Sequence, residues 1–340
     1  PLSFTPEEQQ LAAALQNSAD IQMIHSRGFS VHQPSAECPW PPSSSPGSSL
    51  KAALSTGRVE VLSGHLAERL VMNRDQNRAR GVVVIDQSNG ERIELEAPLV
   101  VLCASTIASL RFLLLSEHST THGGFQDPSA SLGRHLMDHV STCRFFQVPS
   151  RSGRQSLQEL DPSSQLSGAG SFFLPFGSLP PQRDGLLPFS RGYGLWGAIN
   201  RFDPPSWLKR NPDCRLGFLI GHGEVLPSDQ NRVTLSETVD RWGVPIPHIS
   251  CRWGTNETAM VAHMHALMNE AVALGGGEIQ PLTDLVMMPL IEPIVGNMEA
   301  MKAGAPPPGY YVHELGGAPM GNDENHSVVD AWNRLWRCPN

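Results

Sequence analysis

The sequence predicts two joined domains: an α/β domain of nucleotide-binding type, and an α+β domain in which an antiparallel sheet is backed by helices. Three observations lead there. The chain has 340 residues, about twice what one ordinary core accommodates. A continuous apolar run, LVVLCA (99–104), passes at once into the helix-patterned STIASLRFLLLSEH, and strand, tight turn and helix is the order that lets a helix N-terminus face a phosphate. Beyond about residue 145 the pattern changes to short strand-like pieces between Pro/Gly loops, which fits a separate α+β layer structure.

The elements follow in order. TPEEQQLAAALQ (5–16) begins with Thr5 three positions before Glu8, the spacing of a capping box that opens a helix. SAECPWPPSSSPGSS (35–49) is rich in Pro and Ser and reads as a loop or linker. RVEVLSGHLAERLVMN (58–73) and GVVVIDQ (81–87) are β-branched runs on either side of the polar turn RDQNRAR. ERIELEAPLVVLCA (91–104) alternates and then becomes continuously apolar, so its second half reads as a strand buried on both faces of a parallel sheet. Ile107, Leu110, Leu114 and Leu115 then recur at helical spacing, with Ser105 or Thr106 as cap. In the second half CRFFQV, SFFLPF, RLGFLIGH, NRVTLS and IPHISC read as strands, and TNETAMVAHMHALMNEAVAL (255–274) as one long helix.

Charge excludes one broad class of partner. The net charge is −8 with only 17% of residues charged, so no basic field exists to hold a nucleic-acid backbone. No run approaches the length of apolar residues that a membrane span needs. The six cysteines stand far apart, without a CxxC pair, which argues against a zinc or iron–sulfur site and against a disulfide framework. Scattered thiols fit a reducing compartment, so a cytoplasmic location is expected ahead of a periplasmic one. The chain starts at Pro1 and ends at Asn340, and neither end reads as a natural terminus.

Candidate chemistry is sparse. Gly192-Tyr-Gly194-Leu-Trp-Gly197 matches G-x-G-x-x-G, but Pro188 before it and Pro204-Pro205 after it leave no strand-to-helix context, so it reads as a Gly-rich strand or turn. His135 and His139 in LGRHLMDHV are four apart, which on a helix would present two imidazoles on one face. No third ligand beyond Asp138 is evident, Gly133 favours a loop, and no metal is expected. His263 and His265 are two apart on the long helix and point to different faces, facing solvent or packing the helix. Glu224 and Asn231 in GEVLPSDQN read as holding a hairpin turn. His313 is the strongest candidate: it ends a short Tyr/Val strand and precedes Gly316-Gly317, where missing side chains would let a flat ligand approach the backbone. Imidazole is the side chain best matched to proton transfer near neutral pH.

These residues resemble a family. HELGGAPMGNDENHSVVDAWNRLW (313–336) is similar to the C-terminal signature of the glucose–methanol–choline (GMC) oxidoreductases, in which a catalytic His opens a Gly-rich turn before an S-V-V-D segment. SSLKAALSTGRVEVLSGHLAERL (48–70) with RARGVVVIDQ resembles the family's FAD-domain strands, and LVVLCASTIASLRFLLLS (99–116) its strand–turn–helix. LGRHLMDHV (132–140) resembles the crossover into the substrate domain, and GEVLPSDQNRVTLSETVDRWGVPIPHI (223–249) the substrate-domain block of the gluconate- and sugar-oxidising branch.

The resemblance implies an α/β FAD-binding domain, Rossmann-like and incomplete, plus an α+β substrate domain. Its expected layout is an N-terminal helix and Pro/Ser-rich loop (1–47), a partial FAD-binding domain (48–144), a substrate-binding domain (145–309), and a return to the FAD-binding domain carrying His313 (310–340). It implies FAD as cofactor, an alcohol or sugar-type small molecule as substrate, and an electron acceptor of unspecified kind. His313 takes the catalytic position; Leu66, Cys103, Ala104 and Ser105 are carried over to the adenine and ADP part, and Gly316 and Gly317 count as cofactor-binding. The family's N-terminal G-x-G-x-x-G unit and its second catalytic residue, a His or Asn, have no counterpart between Pro1 and Asn340, so the chain reads as an internal piece of a longer enzyme. The competing readings are a non-catalytic fragment that binds no FAD, and a lyase on the same scaffold.

Overall fold

The computed structural model describes residues 4–19, 21–25, 44–117, 124–150, 172–175, 187–201, 204–288 and 304–340. The first part of the Pro/Ser-rich loop, with Cys38, lies outside the described residues. The chain separates into two compact units, one formed by residues 1–60, 140–225 and 253–307, the other by 61–139, 226–252 and 308–340.

The first unit is built on a six-stranded antiparallel sheet. Its strands are β1 (Ile24–His25), β5 (Val140–Pro149), β6 (Phe172–Leu174), β7 (Tyr193–Ile199), β8 (Cys214–Gly223) and β11 (Glu278–Ile279), in the spatial order β1-β6-β7-β8-β5-β11. Helix α4 (Thr255–Leu274) covers one face, burying Met260, Met264 and Met268 completely. Its start is fixed by Glu257, which accepts the N–H of Gly254 at 2.8 Å. A Cβ at Gly221 would run into the sulfur of Met264, and one at Gly223 into that of Met260, so bare backbone at these positions lets helix and sheet close up.

Helix α1 (Pro6–Ala19) opens with the predicted capping box: Glu8 N–H donates to Thr5 Oγ1 at 3.2 Å, and Thr5 N–H donates to Glu8 Oε2 at 2.9 Å. Glu8 is fully buried. Its carboxylate also accepts Ile199 N–H at 3.1 Å and Arg201 Nη2 at 2.8 Å, the pairing that a buried charge requires.

The second unit carries a three-stranded antiparallel sheet of β2 (His65–Met72), β3 (Ala79–Asp86) and β4 (Arg92–Glu96), with β2 at one edge. Helix α3 (Thr106–Glu117) packs on β2, and Leu70 N–H donates to Ser116 Oγ at 2.9 Å. The hairpin of β9 (Arg232–Val239) and β10 (Pro245–Ser250) packs against α3. Arg111 on α3 holds the hairpin turn through Asp240 Oδ2 at 2.7 Å and the Pro245 carbonyl at 2.8 Å. Leu70, Leu110, Leu113, Phe125, Leu136, Val233 and Val328 form the shared core.

Three expectations are corrected. The run 99–104 is not a buried strand: it pairs in no sheet among the described residues, and Leu99 is 61% and Val101 74% exposed. A run of this composition forms a central strand only with a strand on each side of it, and none of the described strands lies there. Pairing in the segment 58–73 begins only at His65, leaving Val59, Val61 and Leu62 exposed. The NRVTLS and IPHISC strands form their own hairpin in the second unit, outside the six-stranded sheet. No described helix is long and apolar enough to cross a membrane.

Candidate active site

Two short segments of the second unit come together in register. Met137 and Leu315 exchange both backbone hydrogen bonds, at 2.9 and 3.0 Å. Beside them Asp138 is 3% exposed, and its carboxylate gathers three backbone donors. His139 N–H reaches Oδ1 at 2.7 Å, His313 N–H reaches Oδ1 at 3.0 Å, and Gly309 N–H reaches Oδ2 at 3.1 Å. A carboxylate that accepts backbone donors in this way fixes a loop as a cap fixes a helix end.

The register sets two imidazoles against each other. His139 Nδ1 and His313 Nδ1 are 3.0 Å apart with rings nearly perpendicular, and the Tyr311 and His313 rings pack edge-to-face at a centroid distance of 4.8 Å. The His313 residue is exposed. The residue before it, Val312, has φ of +60°, a left-handed conformation that a β-branched side chain adopts only under constraint. The clamp on either side of it, at Gly309 and His313, supplies that constraint.

The other candidates divide. Thr106 Oγ1 donates to the Glu314 carbonyl at 2.6 Å, which ties the turn of Cys103, Ala104 and Ser105 to the His313 segment. All three turn residues are exposed, and Ser105 has φ of +67°. Leu66 lies half-buried on edge strand β2. Gly316 and Gly317 both have positive φ, but the space beside them belongs to the protein: a Cβ at Gly316 would strike the His135 carbonyl, and one at Gly317 the Leu110 side chain. Their bareness is explained by internal packing, and no flat ligand is needed to account for it.

His135 and His139 do not share a helix face. They lie in an irregular segment, with His135 at φ +60° and its Nε2 2.9 Å from Asp229 Oδ1, while His139 turns to His313. Among the described residues no cluster of His, Cys, Asp or Glu has the geometry of a metal site. All of the G-x-G-x-x-G match but its first glycine, Gly192, lies on strand β7. His263 bonds Tyr193 Oη at 2.7 Å, and His265 bonds Thr142 Oγ1 at 2.6 Å and Arg144 at 3.1 Å. Asn231 is 2% exposed and bonds both backbone groups of Arg252, whereas Glu224 is exposed. Sequence reasoning missed Asp138 as a loop clamp and His139 as the partner of His313. The Asp-His pair in LMDHV was visible, but its partner lies 174 residues away in the chain.

Comparison with known proteins agrees with this architecture. The N-terminal family model of the GMC oxidoreductases matches residues 16–141, and the C-terminal one matches residues 227–340. The 2-methyl-1,2-propanediol dehydrogenase of Mycolicibacterium austroafricanum is 25% identical over 276 residues, covering 77% of this chain and 45% of that protein. The fructose dehydrogenase large subunit of Gluconobacter japonicus is 28% identical over 249 residues, covering 70% of this chain and 40% of that protein. An FAD-dependent oxidoreductase from Chaetomium thermophilum shares the fold at a TM-score of 0.55 with 13% identity, over 99% of this chain and 66% of that one. The chain thus spans less than half the length of the curated relatives it matches. It belongs to the GMC oxidoreductase family, and FAD is the cofactor that membership brings.

The residues present fit part of that cofactor. An exposed turn runs into the first turn of a twelve-residue helix, α3, where backbone N–H groups and the helix dipole favour an anionic group. The apolar side chains of Leu99 and Val101 stand exposed just before it.

Proposed function

We propose that the protein of which this chain is part oxidises a CH–OH group of an alcohol or sugar-type substrate, with His313 as the general base. Bound FAD supplies the acceptor for the hydrogen that leaves the substrate carbon as hydride. The contribution of this chain is the proton. Nδ1 of His313 is committed to His139, so the hydroxyl proton is taken at Nε2, and withdrawing it raises the electron density that expels hydride from the adjacent carbon. The clamp at Asp138 and the strained Val312 hold the ring in place before substrate arrives, which spares the reaction an ordering cost. The turn of Cys103 to Ser105 and edge strand β2 at Leu66 would hold the dinucleotide end of the cofactor.

The observation that carries this reading is an exposed imidazole, tied through Nδ1 to a second imidazole, on a loop whose backbone is fastened to a buried carboxylate. The test is His313→Gln in the full-length enzyme. Flavin absorbance near about 450 nm should persist, while bleaching by an alcohol substrate should slow by at least about 10²-fold. Undiminished bleaching would remove His313 from the reaction.

A further inference from the structure

We infer that His139 is a positioning residue which fixes the tautomer of His313. The inference rests on the reading of His313 as base and goes beyond it. Two Nδ1 atoms 3.0 Å apart share one hydrogen, since one ring must donate and the other accept. Which ring donates decides whether His313 can work. A neutral imidazole carries its hydrogen on one nitrogen only, so His313 has a lone pair at Nε2 only when its hydrogen is on Nδ1. In that arrangement His313 Nδ1–H donates to His139 Nδ1, and His139 carries its own hydrogen on Nε2. The opposite arrangement puts a hydrogen on His313 Nε2 and leaves that atom without a lone pair for a substrate proton.

The backbone favours holding the two rings in this relation. Residues 137 and 315 are locked by two hydrogen bonds, and Asp138 binds the N–H of both His139 and His313 through the same oxygen, Oδ1. The rings therefore approach from two backbones whose separation is set by one carboxylate oxygen. Tyr311 limits the tilt of the His313 ring from another side. Once His313 has accepted the substrate proton, both of its nitrogens are donors, and the His139 Nδ1 lone pair receives the Nδ1–H of the resulting imidazolium. The O–H bond of the substrate breaks and an N–H bond forms at His313 Nε2, while the shared Nδ1 hydrogen stays on His313 throughout. His139 thus acts through His313 and has no need to touch substrate, much as a carboxylate orients the histidine of a hydrolase triad.

The experiment compares His139→Phe and His139→Asn in the full-length flavoprotein labelled with 15N in its histidine rings. Asn places an amide oxygen where Nδ1 of His139 stands, so it can accept from His313; Phe cannot. In the unmodified protein His313 should show the Nδ1–H tautomer by its ring 15N shifts. His139→Phe should shift it to the Nε2–H form and lower kcat on the order of 10²-fold with KM little changed, and His139→Asn should restore both the tautomer and most of kcat. An unchanged His313 tautomer in His139→Phe overturns the inference and leaves the base assignment standing. Equal loss of kcat in Phe and Asn variants also overturns it, because it marks a merely structural role. Retained turnover in His313→Gln overturns the base assignment instead, whatever the His139 variants do.

Discussion

The buried carboxylate of Asp138 accepts the backbone N–H of His313 at 3.0 Å across 175 positions of sequence. One oxygen holds the backbone of His313 and that of its ring partner His139, and the other oxygen holds Gly309. The stretch 309–313 is therefore fastened at both ends, and the unfavourable backbone angle at Val312 falls between the two fastenings.

Replacing Asp138 should cost more than one hydrogen bond. Asp138→Asn keeps the shape, but its amide group confronts an N–H donor where the carboxylate had an oxygen, so at least one backbone donor loses its partner. The expected loss is about 2 kcal/mol for Asn and more for Ala. Urea unfolding followed by circular dichroism measures it, and a loss below about 0.5 kcal/mol would show that the loop is held by other contacts.

Val312 offers a substitution of opposite sign. The residue is 64% exposed, so little burial is lost on replacing it, while a β-branched residue in the left-handed region costs on the order of 1–2 kcal/mol. Asn tolerates that region without the extra chain entropy of Gly. Val312→Asn should therefore raise stability by about 1 kcal/mol, seen as an upward shift of the thermal midpoint. A drop would mean that the valine makes a packing contribution larger than its strain.

Gly317 separates a packing role from a ligand role. The residue is buried with φ of +77°, and a Cβ there would meet the branches of Leu110 in the α3 core. Gly317→Ala should destabilise the flavin-free protein by about 2 kcal/mol or more. If stability without flavin were unchanged and only flavin affinity fell, the glycine would be there to admit the cofactor.

How much of this was legible in the sequence depended on range. The capping box of Thr5 and Glu8 and the helix at 255–274 rest on contacts within a few residues, and both occur as the letters indicate. His313 stood out because it ends a Tyr/Val stretch a few residues before a Gly-Gly turn, and the order of the family's blocks was readable along the chain. The Asp138 clamp and the His139 partner were not readable, since each joins segments more than 170 positions apart. The apolar run 99–104 misled for a related reason: hydrophobicity reports that a strand would be comfortable between two others, but not whether neighbours are present. Gly316 and Gly317 could not be assigned from the letters, because a bare backbone is equally suited to a ligand and to a neighbouring turn of the same chain.

His265 makes a pH prediction for the first unit. Its Nδ1 faces Arg144 Nη2 at 3.1 Å, and a guanidinium can only donate, so Nδ1 is the acceptor and Nε2 carries the hydrogen toward Thr142 Oγ1 at 2.6 Å. A second proton would destroy the bond to Arg144 and set two cations side by side. Burial, reinforced by the Arg144 charge, accordingly pushes the imidazole down to about 4 from 6.5. Between these values the unfolded chain binds a proton that the folded one refuses, so stability is full above about pH 6.5 and declines as the pH falls toward 4. His265→Gln, which does not titrate, should be less stable at pH 7 for want of the imidazole's paired bonds, yet should lose less on acidification over that window. Urea midpoints of both proteins at pH 7, 5.5 and 4.5 decide the matter. Parallel profiles would assign the acid sensitivity to other groups.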